Sequence, residues 1–78
     1  MNKEQLRNKA EHFVLSTYLS DWNGDLPFSK ILEGIADEDW DIATPWEPFE
    51  TMEGKELANN IADSVTYFLQ LFKDEVTK

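Results

Sequence analysis

Hydrophobic positions along the chain fall into two long helical registers, one at each end, with a shorter one between them. From Lys3 to about Ser20, Leu6, Ala10, Phe13, Val14 and Thr17 recur at spacings of three and four. That spacing predicts an amphipathic helix with one buried face. In its second half Leu15, Tyr18, Leu19 and Trp22 fall on the opposite side, so that half is apolar nearly all round. A helix apolar on two sides is sandwiched between neighbours or covered by a second copy. These four residues are therefore the expected self-association contact of a homodimer. Asp21-Trp-Asn-Gly-Asp25 reads as a turn, with Gly24 available for a positive φ. A second helix then carries the stripe Phe28, Ile31, Leu32 and Ile35, with Asp25 or Leu26 at its cap and Pro27 in its first turn, and ends near Ala36.

Periodicity fails from Asp37 to Glu50, where Pro45 and Pro48 prevent a long helix. Thr44-Pro-Trp-Glu47 has capping-box spacing, which predicts one short helical turn before Pro48. The third helix begins between Thr51 and Gly54 and runs to about Glu75, with Leu57, Ala58, Ile61, Val65, Phe68, Leu69, Phe72 and Val76 on one side. No strand is required. The expected fold is all-α: a small three-helix bundle, one domain over residues 1–78, with an acidic, tryptophan-rich connection before the last helix.

Charge changes this picture, because it is confined to one region. Seven basic and sixteen acidic residues give a net charge of −9. Residues 1–20 carry three basic and two acidic groups (+1), residues 57–78 two and three (−1), and residues 21–56 two and eleven (−9). All three tryptophans (Trp22, Trp40, Trp46), prolines and glycines lie in the same middle segment. A pI near 4.3 disfavours direct binding to nucleic acid or anionic lipid, which needs lysine and arginine. With no cysteine there are no disulfides or thiolate metal sites, and a core of this size is marginal. The lack of a leader-like or membrane-spanning apolar run leads to the expectation of a cytoplasmic protein.

Candidate chemistry is sparse. His12 is the single histidine and sits on the polar side of the first helix, and none of Ser16, Ser20, Ser29 or Ser64 occupies a nucleophile elbow. Gly24, Gly34 and Gly54 are isolated and form no phosphate loop. Asp21, Asn23 and Asp25 match the first ligands of a calcium-binding EF-hand loop, but Leu26 stands where its glycine belongs and Leu32 where its bidentate acid belongs. Asp37, Asp39 and Asp41 fail likewise at Ile42 and Pro48. Asp63-Ser64-Val65 resembles the prosthetic-group site of acyl carrier proteins. That serine opens a mid-chain helix in the family, whereas Ser64 lies inside the last periodic helix here, so the family is set aside. No catalytic residue, metal or cofactor is expected.

A surface argument remains. Asp37, Glu38, Asp39, Trp40 and Asp41, followed by Trp46, Glu47 and Glu50, join fixed negative charge to large aromatic area. Tryptophan is enriched at binding hot spots, and acidic rims steer association with basic surfaces. On the third helix Glu56, Asn60, Asp63, Tyr67, Gln70 and Asp74 form a polar stripe roughly 27 Å long, adding Glu56 and Asp63 to the expected partner site. The expected partner is a basic protein, foremost one that itself binds nucleic acid, with no direct nucleic-acid or membrane contact by this chain. The leading functional expectation is an inhibitor of anti-CRISPR or anti-restriction type that mimics DNA. An immunity, antitoxin or adaptor protein and a homo-oligomeric structural protein are the alternatives.

Overall fold

The structure is a computed structural model that describes residues 2–71 and residue 73. The expectations attached to Phe72, Asp74, Glu75 and Val76 lie outside the described residues. Helix α1 (Lys3–Tyr18) starts in a reciprocal cap. The Asn2 side chain accepts from the Gln5 amide at 2.8 Å, and the Gln5 side chain accepts from the Asn2 amide at 3.3 Å. Two otherwise orphaned donors are thereby satisfied at the first turn.

The first departure from an all-α bundle comes where α1 ends. Leu19 has φ −122 and ψ 131, and Leu19–Trp22 continues as strand β1. This strand pairs antiparallel with β2 (Ala43–Pro45), in the register Leu19↔Pro45, Asp21↔Thr44 and Trp22↔Ala43, with an irregularity between Leu19 and Asp21. The ladder is prolonged by Trp46 N–H to Tyr18 O (2.9 Å) and Asn23 N–H to Ile42 O (3.1 Å). The two-sided apolar pattern that suggested a dimer contact has a different cause. The chain leaves the helix at Tyr18, the strand that succeeds it pairs with the chain's own β2, and the apolar side chains of both turn into the core. Leu15 and Leu19 are each only 3% exposed, and Tyr18 and Trp22 pack against the same core.

Helix α2 (Phe28–Ala36) ends as the stripe predicts, but its start differs. Pro27 occupies the cap position and supplies no side-chain cap. Asp25 and Leu26 belong instead to a turn closed by Asn23, whose side chain accepts from the Asp25 amide and whose carbonyl accepts from Leu26 N–H. Among the described residues no glycine takes a positive φ; Gly24 leaves room for the Trp22 ring, which a Cβ there would approach to 3.3 Å.

The left-handed residue is Glu38, at φ 58. Its amide donates to Ile35 O (3.0 Å) and that of Asp39 to Gly34 O (2.7 Å), the two bonds of a Schellman C-cap with glutamate where glycine is usual. The Glu38 carboxylate then accepts from Gly54 N–H at 3.1 Å, so one residue ends α2 and caps α3 (Gly54–Leu71). The helices approach closely there: a Cβ on Gly54 would lie 2.2 Å from Ile35 O. Before α3, a 3₁₀ turn spans Glu47–Phe49 and includes Pro48. The turn expected before Pro48 is therefore not formed: Thr44 and Pro45 belong to β2, the helical turn comes one step later and contains Pro48, and the Thr44 hydroxyl donates to Trp40 O at 3.3 Å.

Buried side chains come from every major element, with Ile31, Ile35, Leu57 and Ile61 the largest that are fully enclosed. Helices α1 and α3 run antiparallel. Leu6 borders the same groove as Leu69, the Phe13 and Phe68 rings lie 5.4 Å apart, and the Tyr18 hydroxyl meets Ser64 Oγ at 2.9 Å.

Candidate protein-interaction surface

All eleven acids of residues 21–56 are exposed. Ion pairing among the described residues is limited to Arg7–Glu11 (2.9 Å) and Lys30–Glu33 (3.6 Å). Ten of the eleven therefore have no cation at contact distance. Six of the ten fall into two groups, and Asp21, Asp25, Glu53 and Glu56 stand outside them. The first is the α2–β2 loop, where Asp37, Glu38, Asp39, Trp40 and Asp41 are all exposed and Trp40 keeps 37% of its surface. Asp39 Oδ1 accepts from the Asp41 amide at 3.3 Å, which folds the loop back on itself. Glu38 must be taken out of the expected partner site in this loop, because its carboxylate is committed to the first amide of α3. The capping role has a signal in the sequence: Glu38 stands two residues past the last helical position of α2, where a Schellman cap needs its left-handed residue.

The second group surrounds an aromatic corner. The rings of Tyr18 and Phe49 lie 4.7 Å apart and those of Phe49 and Trp46 5.8 Å, an offset ladder running from α1 to the 3₁₀ turn. Phe49 closes the core, whereas Trp46 is 48% exposed. Glu47 and Glu50 flank this ladder in sequence. Asp63 and Tyr67 line a shallow groove of about 460 Å³ beside it, together with Tyr18, Phe49, Met52, Asn60 and Ser64. The groove is held by a polar relay in which Ser64 Oγ donates to Asn60 O (2.8 Å) and bonds the Tyr18 hydroxyl. Glu56 lies in the first turn of α3, where the helix dipole favours negative charge. The structure thus brings Trp46, Glu47, Glu50 and Asp63 towards one corner, while Asp37, Asp39, Trp40 and Asp41 occupy a separate loop.

Elsewhere the chemistry is of another kind. His12 is exposed and stands edge-on to Trp22, with centroids 5.2 Å apart. Among the described residues no three acids or histidines converge as metal ligands would. A further groove of about 600 Å³ has Leu6, Phe28, Val65 and Leu69 in its lining and Lys3, Arg7 and Lys73 around it, so its sign is unsuited to a basic partner. No described helix is long and apolar enough to cross a membrane. What the helical periodicity missed is an exposed apolar strip: Phe13 is 59% exposed, Tyr67 64% and Leu71 60%. Phe13 sits at a helical spacing from Ala10 and Thr17 that places it on the buried face, yet its ring lies on the outside of the α1–α3 seam against Phe68.

No protein-family model, curated protein or solved structure matches this chain significantly.

Proposed function

We propose that this chain is a non-enzymatic, acidic protein-binding protein that covers the basic, nucleic-acid-binding surface of another protein, as anti-CRISPR and anti-restriction DNA mimics do. One observation carries the reading: among the described residues, ten exposed acids of residues 21–56 have no cation at contact distance. Like charges crowded in one segment repel one another and weaken the fold, so they bring no benefit to an isolated domain. Against a basic groove the same charges raise the association rate and exclude uncharged competitors. Trp40 and Trp46, both exposed, supply the apolar anchors that charge alone lacks.

A second reading is favoured by the Tyr18–Phe49–Trp46 ladder, since phosphate mimicry needs no aromatic corner. It makes the chain an immunity, antitoxin or adaptor protein whose basic partner does not bind nucleic acid. Recovery of the partner from host lysate at low salt, followed by competition with duplex DNA and with RNA, separates the two. Displacement of the chain by nucleic acid supports the first reading, and binding indifferent to nucleic acid supports the second. Recovery of only ribosomal and other non-specifically basic proteins would remove both.

A further inference from the structure

The shallow groove beside the aromatic corner joins an apolar floor to a single charge. Tyr18, Phe49 and Met52 are each half-buried in it, and α3 supplies one wall through Asp63 and Tyr67, exposed residues one turn apart on the same side of the helix. The neutral polar groups of the lining are already engaged. Ser64 has one hydroxyl proton and gives it to Asn60 O, so the Tyr18 hydroxyl donates to Ser64 Oγ. The Asn60 amide donates to Met52 Sδ at 3.4 Å. Asp63 is different: its carboxylate has no hydrogen-bond or ion-pair partner among the described residues, and the lining contains no basic residue.

An anion is repelled here by Asp63 and by the net charge of −9 on the whole chain. A neutral apolar group would cover the carboxylate without giving it a partner, and that desolvation is costly. A flat cation meets both demands, since its face stacks on an aromatic ring while its edge donates to the carboxylate. The arginine guanidinium has that form, whereas the lysine ammonium is a compact charge that holds its water more tightly. We propose that this groove receives one arginine side chain of the basic partner, with the guanidinium stacked on Tyr67 and paired with Asp63 and its alkyl stem against Phe49. The assignment rests on the protein-binding reading above and gives the two acidic regions different tasks. The α2–β2 loop attracts at long range, and the aromatic corner selects one side chain on contact.

The probe is the blocked peptide acetyl-glycyl-arginyl-glycinamide, titrated into the isotope-labelled chain and read by amide chemical shifts. At about 0.15 M salt, attraction by distant charges is screened beyond about 8 Å. The arginine peptide should give saturable shifts around Phe49, Asp63 and Tyr67. The lysine peptide should bind about fivefold more weakly, and the citrulline peptide, which keeps the shape and lacks the charge, should give none. Asp63→Asn and Tyr67→Ala, both at exposed positions, should each raise the Kd about fivefold or more with circular dichroism unchanged. Asp25→Asn removes the same charge in the Asn23 turn and should leave the Kd as it is. No saturable shift, equal binding of the arginine and lysine peptides, or equal sensitivity to Asp25→Asn and Asp63→Asn overturns the arginine site. Should one groove variant lose its helical spectrum, the other decides the result. The titration involves no partner, so the two readings fail separately. A basic partner recovered while the peptide finds no site overturns the groove alone, and a peptide held at Asp63 while no specific partner is recovered overturns the proposed function alone.

Discussion

Among the described residues, the flanks up to residue 20 and from residue 57 supply nine of the twelve buried apolar side chains, and residues 21–56 supply Ile31, Ile35 and Ala43. The flanks are held by apolar burial along α1 and α3. The middle adds Ile31 and Ile35 to that core and is otherwise shaped by hydrogen bonds: the Asn23 turn, the β1–β2 ladder, the Schellman cap at Glu38 and the carboxylate that joins it to Gly54. These hydrogen bonds shape the loops and turns of the segment while leaving their acidic side chains outside. That is how nine acids besides Glu38, and two tryptophans, come to be displayed on a domain with so little core. Perturbing each region in turn should therefore produce different kinds of failure.

The largest effect is expected in the flanks. Val65→Asp puts an unpaired charge into a position 6% exposed on the buried face of α3. Burying such a charge costs several kcal/mol, comparable to the whole stability of a small domain. Circular dichroism should show loss of the helical signal, while Tyr67→Asp, two positions on and 64% exposed, should keep it. Equal tolerance of both would remove the distinction between the two faces of α3.

Next in size is Gly54→Ala, at the junction of the two regions. In an ordinary exposed helix this exchange would stabilise by up to about 1 kcal/mol. Here the new Cβ meets Ile35 O at 2.2 Å and the Glu38 side chain at 2.7 Å. A backbone carbonyl cannot swing aside as a side-chain tip can. Overpacking of this sort costs about 3 kcal/mol, so the urea midpoint should fall with an unchanged m-value. A rise in the midpoint would mean that α2 and α3 do not meet so closely.

Within the middle the effects should fall on binding and spare the fold. Asp37→Lys, Asp41→Lys and Glu47→Lys together, with Asp39→Asn to preserve the hydrogen bond to the Asp41 amide, should lower the association rate for the basic partner and flatten its salt dependence. Trp46→Ala should instead speed dissociation and cost about 2 kcal/mol of binding. Surface plasmon resonance separates the two rates. Unchanged kinetics in the reversed variant would reduce the acids to a solvated rim and remove the proposed function with them.

The two regions also differ in how much of them the sequence discloses. Periodicity places Leu57, Ala58, Ile61 and Val65 on the core face and ends α2 at Ala36, because burial repeats with the helix. It fails at Leu19, where the apolar pattern continues although the backbone turns extended, since helix and strand bury a short apolar run equally well. The partner strand Ala43–Pro45 is only three residues long and contains a proline, so it carries no alternation to detect. Composition places the acids in the middle, but it cannot separate those that are free from those the fold uses, such as Glu38. Asp37 and Glu38 are indistinguishable by charge; only the left-handed backbone at Glu38 and the unfilled amide of Gly54 assign that side chain a structural task.

The smallest effect expected tests this distinction at a single residue. Glu38 stabilises the junction through its carboxylate, which accepts from Gly54 N–H, and strains it through its φ of 58. A left-handed non-glycine residue costs about 1 kcal/mol, and a hydrogen bond to a charged group contributes about 1.5 kcal/mol at a partly exposed site. Glu38→Gly removes both, so its stability should stay within about 0.5 kcal/mol of wild type. Glu38→Ala loses the bond and keeps the strain, so it should fall by about 1.5 kcal/mol. The difference between the two variants, read from urea unfolding, measures the strain alone. Asp37→Ala serves as the control from the free acids and should leave stability unchanged or slightly raised, as it relieves local repulsion. If Glu38→Ala behaved like Asp37→Ala, the carboxylate would not be fastening α2 to α3, and Glu38 would return to the group of acids available to a partner.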